Sequence, residues 1–153
     1  MMARIRVPFP SAQEGAATQP SAASTTPAVW LMDSITQVVA ADAGAVVVSG
    51  SHGGRSSGHY ALAVPLKLAV FNDAGGGKEG AGIAALGMLQ ARGAAAVAVG
   101  HDSARIGEAE DAWAHGVISH LNEAAAALGL ARGERLQDAV RRLVAGPQGH
   151  PNG

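Results

Sequence analysis

The sequence predicts an α/β fold, and three mostly apolar runs carry this prediction. They cover residues 45–49, 66–71 and 94–99, and such runs are typical of strands buried on both faces of a parallel sheet. The intervening segments are long enough for the crossovers that parallel strands need. We therefore predict a three-layer sandwich around a short, mostly parallel, Rossmann-like sheet of three to four strands, in which the three runs are neighbours.

Capping residues and apolar spacing place the other elements. Residues 28–32 predict a first strand, and Ser34 with Gln37 has the spacing of a capping box. Pro65 and Gly93 are placed to end helices. Helices are predicted at residues 34–43, 59–64, 81–92, 108–114 and 117–128, and from residue 136 onward, with a loop at 55–58.

The ends of the chain have a different composition from its middle. Residues 11–27 are rich in Ser, Thr, Ala and Pro without an apolar period, and the segment from residue 146 contains prolines and glycines. We predict disordered tails at 1–27 and 146–153 around a single α/β domain at 28–145. Ile5 and Val7 alternate as in a strand, but the neighbouring prolines allow an edge strand at most.

Composition excludes several classes of function. The chain has 153 residues, with 11 Lys and Arg against 12 Asp and Glu, so no basic excess favours nucleic acid. The absence of cysteine excludes disulfides and thiolate catalysis. Because no secretory signal and no apolar run of about 18 residues is present, we expect a cytoplasmic protein without a membrane partner.

Small side chains indicate close helix packing. Residues 124–127 are four consecutive alanines. Alanine lets helices approach closely, either within the domain or at a subunit interface. We therefore expect a homo-oligomer.

Polar side chains follow each of the three predicted strands. Parallel strands bring their carboxyl ends to one edge of a sheet, where ligands bind in open α/β folds. Histidine beside carboxylate supports general acid–base chemistry, and the same residue types ligate divalent metals. No metal-binding spacing is present, so no metal is assigned. The predicted catalytic residues are His52, Asp73, His101 and Asp102.

The glycine-rich turns beside these residues predict an anion site. The stretch FNDAGGGKEG at residues 71–80 follows a predicted strand, and free backbone N–H groups with a nearby cation attract phosphate or carboxylate. The predicted ligand-binding residues are Ser51, Gly53, Gly54, Asn72, Gly75, Gly76, Gly77, Lys78, Ser103 and Arg105. A structural alternative is equally open, in which the aspartates cap turns and the cations are solvated.

Gly75, Gly77 and Gly80 also satisfy the G-x-G-x-x-G spacing of a dinucleotide-binding loop, with Asp102 near the place of a ribose-binding acid. Two features argue against this interpretation. Asp73 would repel a pyrophosphate, and the chain has no second mononucleotide-binding half. The cofactor therefore stays unassigned.

The segment SGSHG at residues 49–53 resembles a nucleophile elbow. Such a site would use Ser51 as nucleophile and His120 as base, with Asp73 or Asp102 as the orienting carboxylate. No full hydrolase scaffold accompanies these residues.

The function predicted from these patterns is that of a small enzyme or enzyme subunit. It would act on a small anionic metabolite by acid–base chemistry at the carboxyl ends of the strands. The alternative is a non-catalytic ligand-binding or regulatory subunit that uses the same glycine-rich pocket. Under either interpretation, His52, Asp73 and His101 should line one pocket.

Overall fold

Six strands form one sheet, and their order in the sheet is their order in the chain. A computed structural model describes residues 4–8 and 26–145. The strands are β1 (Arg4–Arg6), β2 (Val29–Met32), β3 (Val46–His52), β4 (Leu68–Asn72), β5 (Ala96–Val99) and β6 (Ile118–Leu121). Strands β2 to β5 are parallel to one another, whereas β1 and β6 are antiparallel to their neighbours.

Short helices connect the strands. The α-helices of the described residues are α1 (Arg55–Leu62), α2 (Ala84–Gln90), α3 (Ala109–His115), α4 (Glu123–Ala127) and α5 (Leu136–Ala145). In the same part of the chain, 3-10 segments cover Ile35–Gln37, Ala40–Asp42 and Lys78–Ile83. A single layered α/β unit results.

Apolar clusters cover both faces of the sheet. Val47 of β3 packs with residues of α1 and α2 on one face, whereas Val46 and Val48 pack with residues of α3 and α5 on the other. Because both faces of the central strands are buried, their sequences are continuously apolar and show no alternation. The layered α/β architecture and the parallel pairing of the three predicted strands are confirmed.

The predicted size of the sheet was wrong. The sheet has six strands and is partly antiparallel, where three to four mostly parallel strands were expected. Strand β1 lies in the segment that was predicted to be a disordered tail, and it pairs with β2 from Arg4↔Met32 to Arg6↔Trp30. The tail predictions for residues 9–25 and 146–153 fall outside the described residues.

Strand β6 replaces the first part of a predicted helix. Residues 117–128 were predicted as one helix, and Ile118, Leu121, Ala125 and Leu128 do recur at nearly helical intervals. In the structure the side chain of Asn122 accepts from the N–H of Ala125 and caps α4. An Asn N-cap ends the element before it, so the strand and helix meet at this residue.

Two other helices differ from the prediction, and two caps agree with it. Residues 34–43 form two 3-10 segments in place of a helix, although the capping box of Ser34 is present. Helix α1 begins at Arg55, within the predicted loop. Gly93 follows α2 at φ +72°, and the N–H of Ala94 bonds to the carbonyl of Leu89, as in a Schellman motif.

The segment between β5 and α3 crosses the carboxyl ends of β4 and β3. The side chain of Asn72 donates to the carbonyl of Ala104 at 2.9 Å, and the N–H of Gly107 donates to the carbonyl of Gly50 at 2.7 Å. A Cβ at Gly50 would lie 2.5 Å from the backbone nitrogen of Glu108. Glycine at position 50 therefore permits this crossing, which covers the end of β3 and leaves the edge near β4, β5 and β6 for a site.

In the described part of the chain, no helix is both long enough and apolar enough to cross a membrane.

Candidate functional site

Asp73 follows β4 directly, and both oxygens of its carboxylate accept hydrogen bonds. Its Oδ1 accepts from the N–H groups of Gly75 at 2.8 Å and His101 at 3.0 Å, and its Oδ2 accepts from the hydroxyl of Ser119 at 2.7 Å. The side chain is 8% exposed. Its own N–H donates to the carbonyl of Val99, which ties the residue to β5.

Two histidine rings border the Asp73 carboxylate. The Nδ1 atom of His101 lies 3.2 Å from Oδ1, and the Nδ1 atom of His120 lies 3.8 Å from Oδ2. The His101 side chain is 58% exposed and that of His120 is 38% exposed. We refer to Asp73, His101, Ser119 and His120 as the Asp73 cluster, in which a buried anion holds two imidazoles that solvent reaches.

A β-bulge explains why Ser119 points at Asp73. Val99 pairs with Ile118 and Ala98 pairs with His120, so one step along β5 corresponds to two steps along β6. Ser119 is the additional residue. Bulges redirect a side chain away from the regular alternation of a strand, and here the hydroxyl also lies 3.0 Å from the Nδ1 atom of His120.

The hydrogen bonds decide the charge of Asp73. Burial alone would raise the pKa of this carboxyl, but the hydrogen bonds from Ser119, from the backbone of Gly75 and from His101 outweigh that effect and hold the pKa below its usual value. Asp73 is therefore an anion at neutral pH. A negative charge at this position favours a proton on the ring nitrogen that faces it.

The glycine-rich turn uses its backbone N–H groups internally. The N–H of Ala74 donates to the side chain of Asn72. The N–H of Gly75 donates to the side chain of Asp73, and the N–H of Gly76 donates to the carbonyl of Asp73. Ala74 and Gly75 both have positive φ, as the central residues of a type I′ turn require. These three N–H groups therefore hold the turn and do not form the expected anion cradle.

Gly77 has φ +68° and ψ 176°, a conformation that is essentially restricted to glycine. It precedes the 3-10 segment, and α2 begins only at Ala84. The G-x-G-x-x-G spacing is thus not followed by a helix N-terminus of the kind that binds pyrophosphate. The side chain of Lys78 is outside the described residues.

The predicted residues at the end of β3 and in the turn after it contact backbone groups. The hydroxyl of Ser51 accepts from the N–H of Ile35 at 2.9 Å, and the exposed ring of His52 accepts through Nδ1 from the N–H of Gly54 at 3.0 Å. Gly53 is buried, and a Cβ there would lie 2.8 Å from the carbonyl oxygen of Gly82. Among the described residues, no hydrogen bond or ion pair joins His52 to Asp73 or His101, and none joins Ser51 to a histidine.

The remaining predicted residues lie around the turn after β5. Asn72 is 1% exposed and connects two loops through its side chain. Ser103 donates to the carbonyl of Gly100 and accepts from the N–H of Val117. Asp102 is exposed. Arg105 has a 79% exposed side chain whose guanidinium lies 4.0 Å from Glu108, so its ion pair is with this glutamate rather than with Asp102.

The structure thus brings Asp73 and His101 into contact, and it adds Ser119 and His120 to them. The sequence indicated His120 only as the base of a nucleophile elbow, and no motif indicated Ser119. The available signal was the Asn122 cap, because a cap there makes residues 118–121 a strand that lies beside β5. In residues 4–8 and 26–145, no group of three or more histidine, aspartate and glutamate side chains is arranged to hold a metal ion.

Comparison of the chain with protein-family models, with curated protein sequences and with solved structures finds no match. The chemistry of the Asp73 cluster therefore carries the functional interpretation.

Proposed function

We propose that this protein is a small enzyme, or the catalytic subunit of one, that transfers protons on a small anionic metabolite. His101 is the general acid–base, and Asp73 orients it. One observation supports the proposal: Oδ1 of Asp73 lies 3.0 Å from the backbone nitrogen of His101 and 3.2 Å from its Nδ1 atom.

This geometry supports proton transfer for an elementary reason. A buried anion that accepts from Nδ1–H leaves the lone pair of Nε2 outward, in the tautomer that a general base needs. The His101 ring is largely exposed, so a ligand can reach it. Asp73, at 8% exposure, is shielded from solvent and acts through the ring.

The charge that the site acquires during proton transfer supports an anionic metabolite. A histidine that has taken a proton is a cation, and a neighbouring second histidine, His120, can take another. Negative substrate groups are stabilised beside such imidazolium ions. Lys78 is a further cation, five residues after Asp73 in the sequence.

Deuterium exchange tests this function across a range of candidate substrates. The full-length protein is incubated in D₂O with a panel of 2-oxo acids and of hydroxycarbonyl phosphates, and NMR follows the loss of each C–H signal. We expect one member of the panel to exchange with wild type. Replacement of His101 by Gln should slow that exchange by about 100-fold or more.

The chain provides a matched control for this experiment. His115 lies 3.0 Å from Asp111 on the surface of α3, in an Asp–His pair of similar length at an exposed position. The His115→Gln variant should catalyse exchange of the substrate C–H at the wild-type rate. Binding of a panel member without any exchange would reject the enzyme and favour the ligand-binding or regulatory subunit, and equal exchange by wild type and His101→Gln would remove His101 from the reaction.

We also propose that the protein is a homo-oligomer. Ala126 and Ala127 of α4 are exposed, and small exposed side chains permit close approach of a second subunit. Light scattering at micromolar protein should give a mass above 15.2 kDa. A monomeric mass would contradict this proposal and leave the acid–base site unaffected.

A further inference from the structure

The Asp73 cluster holds a second histidine through a hydroxyl. Ser119 has one hydroxyl proton and three neighbours for it, namely Oδ2 of Asp73 at 2.7 Å, the carbonyl of Ala98 at 3.3 Å and Nδ1 of His120 at 3.0 Å. The carboxylate oxygen is both the nearest of the three and charged, so it takes the proton. Nδ1 of His120 must then donate to the serine oxygen.

The Asp73 carboxylate therefore favours the Nδ1–H tautomer of both histidines. Nδ1 of His101 lies 3.2 Å from Oδ1 of Asp73, and Nδ1 of His120 faces the same carboxylate through Ser119. An anionic acceptor favours the Nδ1–H form of both rings. In both rings Nε2 is the nitrogen left to exchange a proton with a bound molecule. Proton transfer by such a pair requires one ring that is neutral and one ring that carries an additional proton on Nε2.

We propose that Ser119 is a positioning residue that extends the hold of Asp73 to His120, and that His101 and His120 act as paired base and acid on an α-hydroxycarbonyl substrate with an anionic group. This proposal rests on the proposed function and names its substrate class.

The reaction needs no oxidant or reductant. Nε2 of neutral His101 takes the proton from the carbon beside the carbonyl, and the C–H electron pair forms the C=C bond of an enediol. The carbonyl π electrons move to oxygen, which takes the Nε2 proton of His120 in its protonated form and leaves that ring neutral. In return, His101 delivers its proton to the former carbonyl carbon and His120 recovers one from the other hydroxyl, so that the substrate is isomerised and both histidines are restored.

The test measures tautomers by long-range ¹H–¹⁵N correlation NMR of the full-length protein at about pH 8, where histidine is mostly neutral. We expect the Nδ1–H form for His101 and His120 in wild type. Ser119→Ala should return His120 to the Nε2–H form and leave His101 unchanged, whereas Ser119→Thr, which keeps the hydroxyl, should restore it. His115, on the surface pair, reports whether the variants change histidines in general.

Two results would overturn the proposal, and neither depends on finding a substrate. One is an Nε2–H form of His120 in wild type, which requires no variant to fold, and the other is an unchanged Nδ1–H form of His120 in Ser119→Ala. On a panel member that exchanges, Ser119→Ala should lower kcat by about 100-fold with little change in KM, and Thr should recover most of it. Fixed tautomers without exchange of any panel member would reject the proposed function but not the hydrogen-bonded pair.

Discussion

One oxygen atom of Asp73 fixes both the backbone and the ring of His101. Oδ1 accepts from the His101 N–H at 3.0 Å and lies 3.2 Å from Nδ1 of the same residue. The position of the chain and the orientation of the imidazole therefore depend on a single carboxylate. A change at Asp73 should alter the stability of this turn and the orientation of the ring together.

Asp73→Asn should destabilise the protein at neutral pH by about 1–3 kcal/mol, the cost of leaving buried donors without their charged acceptor. Urea denaturation of wild type and variant measures this difference. The helix-cap alternative predicts almost no cost, since Asn caps as well as Asp. Asp111→Asn, in the exposed pair with His115, is the control and should change stability little.

The same carboxylate gives stability a defined dependence on pH. Since hydrogen bonds hold the pKa of Asp73 below its usual value, its contribution is fully present above the unfolded pKa of about 3.9 and is lost as pH falls through the lower folded pKa. The stability gap between wild type and Asp73→Asn should therefore narrow below about pH 4. A gap that stays constant down to about pH 2 would contradict the hydrogen-bonded anion.

Ala74→Gly should stabilise the protein by about 1 kcal/mol. Ala74 has φ +53°, and the left-handed region costs an L-residue with a Cβ about 1–2 kcal/mol. Thermal denaturation checks the sign. Ala63, which is exposed at φ −70° after α1, is the control, and Ala63→Gly should destabilise because its conformation carries no such strain.

Gly50→Ala should destabilise by about 3 kcal/mol or more, because its Cβ would lie 2.5 Å from the backbone of Glu108. Backbone at this distance cannot yield as a side-chain end can. Gly87→Ala in α2 is the matched control. No atom lies within 4 Å of a Cβ there, so alanine should stabilise the helix by up to about 1 kcal/mol. Equal changes in the free energy of unfolding for the two substitutions would contradict the close contact between Gly50 and the segment that crosses the end of β3.

Arg4→Ala should release β1 from the sheet. Arg4 donates to both carboxylate oxygens of Asp42 at 2.7 and 3.1 Å and lies over the ring of Trp30. Asp42 is 2% exposed, so removal of the arginine takes the cation from a buried carboxylate. Loss of these charged hydrogen bonds should cost about 1.5–3 kcal/mol. Hydrogen exchange at the Val7 N–H should accelerate, whereas Arg6→Ala, at an exposed position in the same strand, should leave it unchanged.

The sequence was most informative where burial was complete. Val47, Val70 and Val97 lie in strands with no exposed residue until their ends, and such strands have a continuous apolar signal. The edge strands β1 and β6 have only three and four residues and are largely half-buried or exposed, so their signal is weak. Because the signal at β6 was weak, the sequence did not place Ser119 and His120 beside Asp73.

The sequence located Asp73 and His101 for a physical reason, since polar residues after buried strands must lie at the sheet edge. It could not assign the tasks of Ser51, Asn72 and Ser103. Their side chains bond to backbone groups of distant segments, and those partners depend on how the loops cross. Ser119 depended in addition on a bulge, which no local pattern in the strand predicts.

Each pair of neighbouring strands in the sheet is also a pair of neighbours along the chain. Contacts between segments that are close in sequence cost little loop-closure entropy and favour rapid assembly. The Asp73 cluster draws only on β4, β5 and β6 and the turns between them. During synthesis, all four of its side chains have emerged before α5 exists, so the polar centre can assemble ahead of the helix that packs against Val46 and Val48 on one face of the sheet.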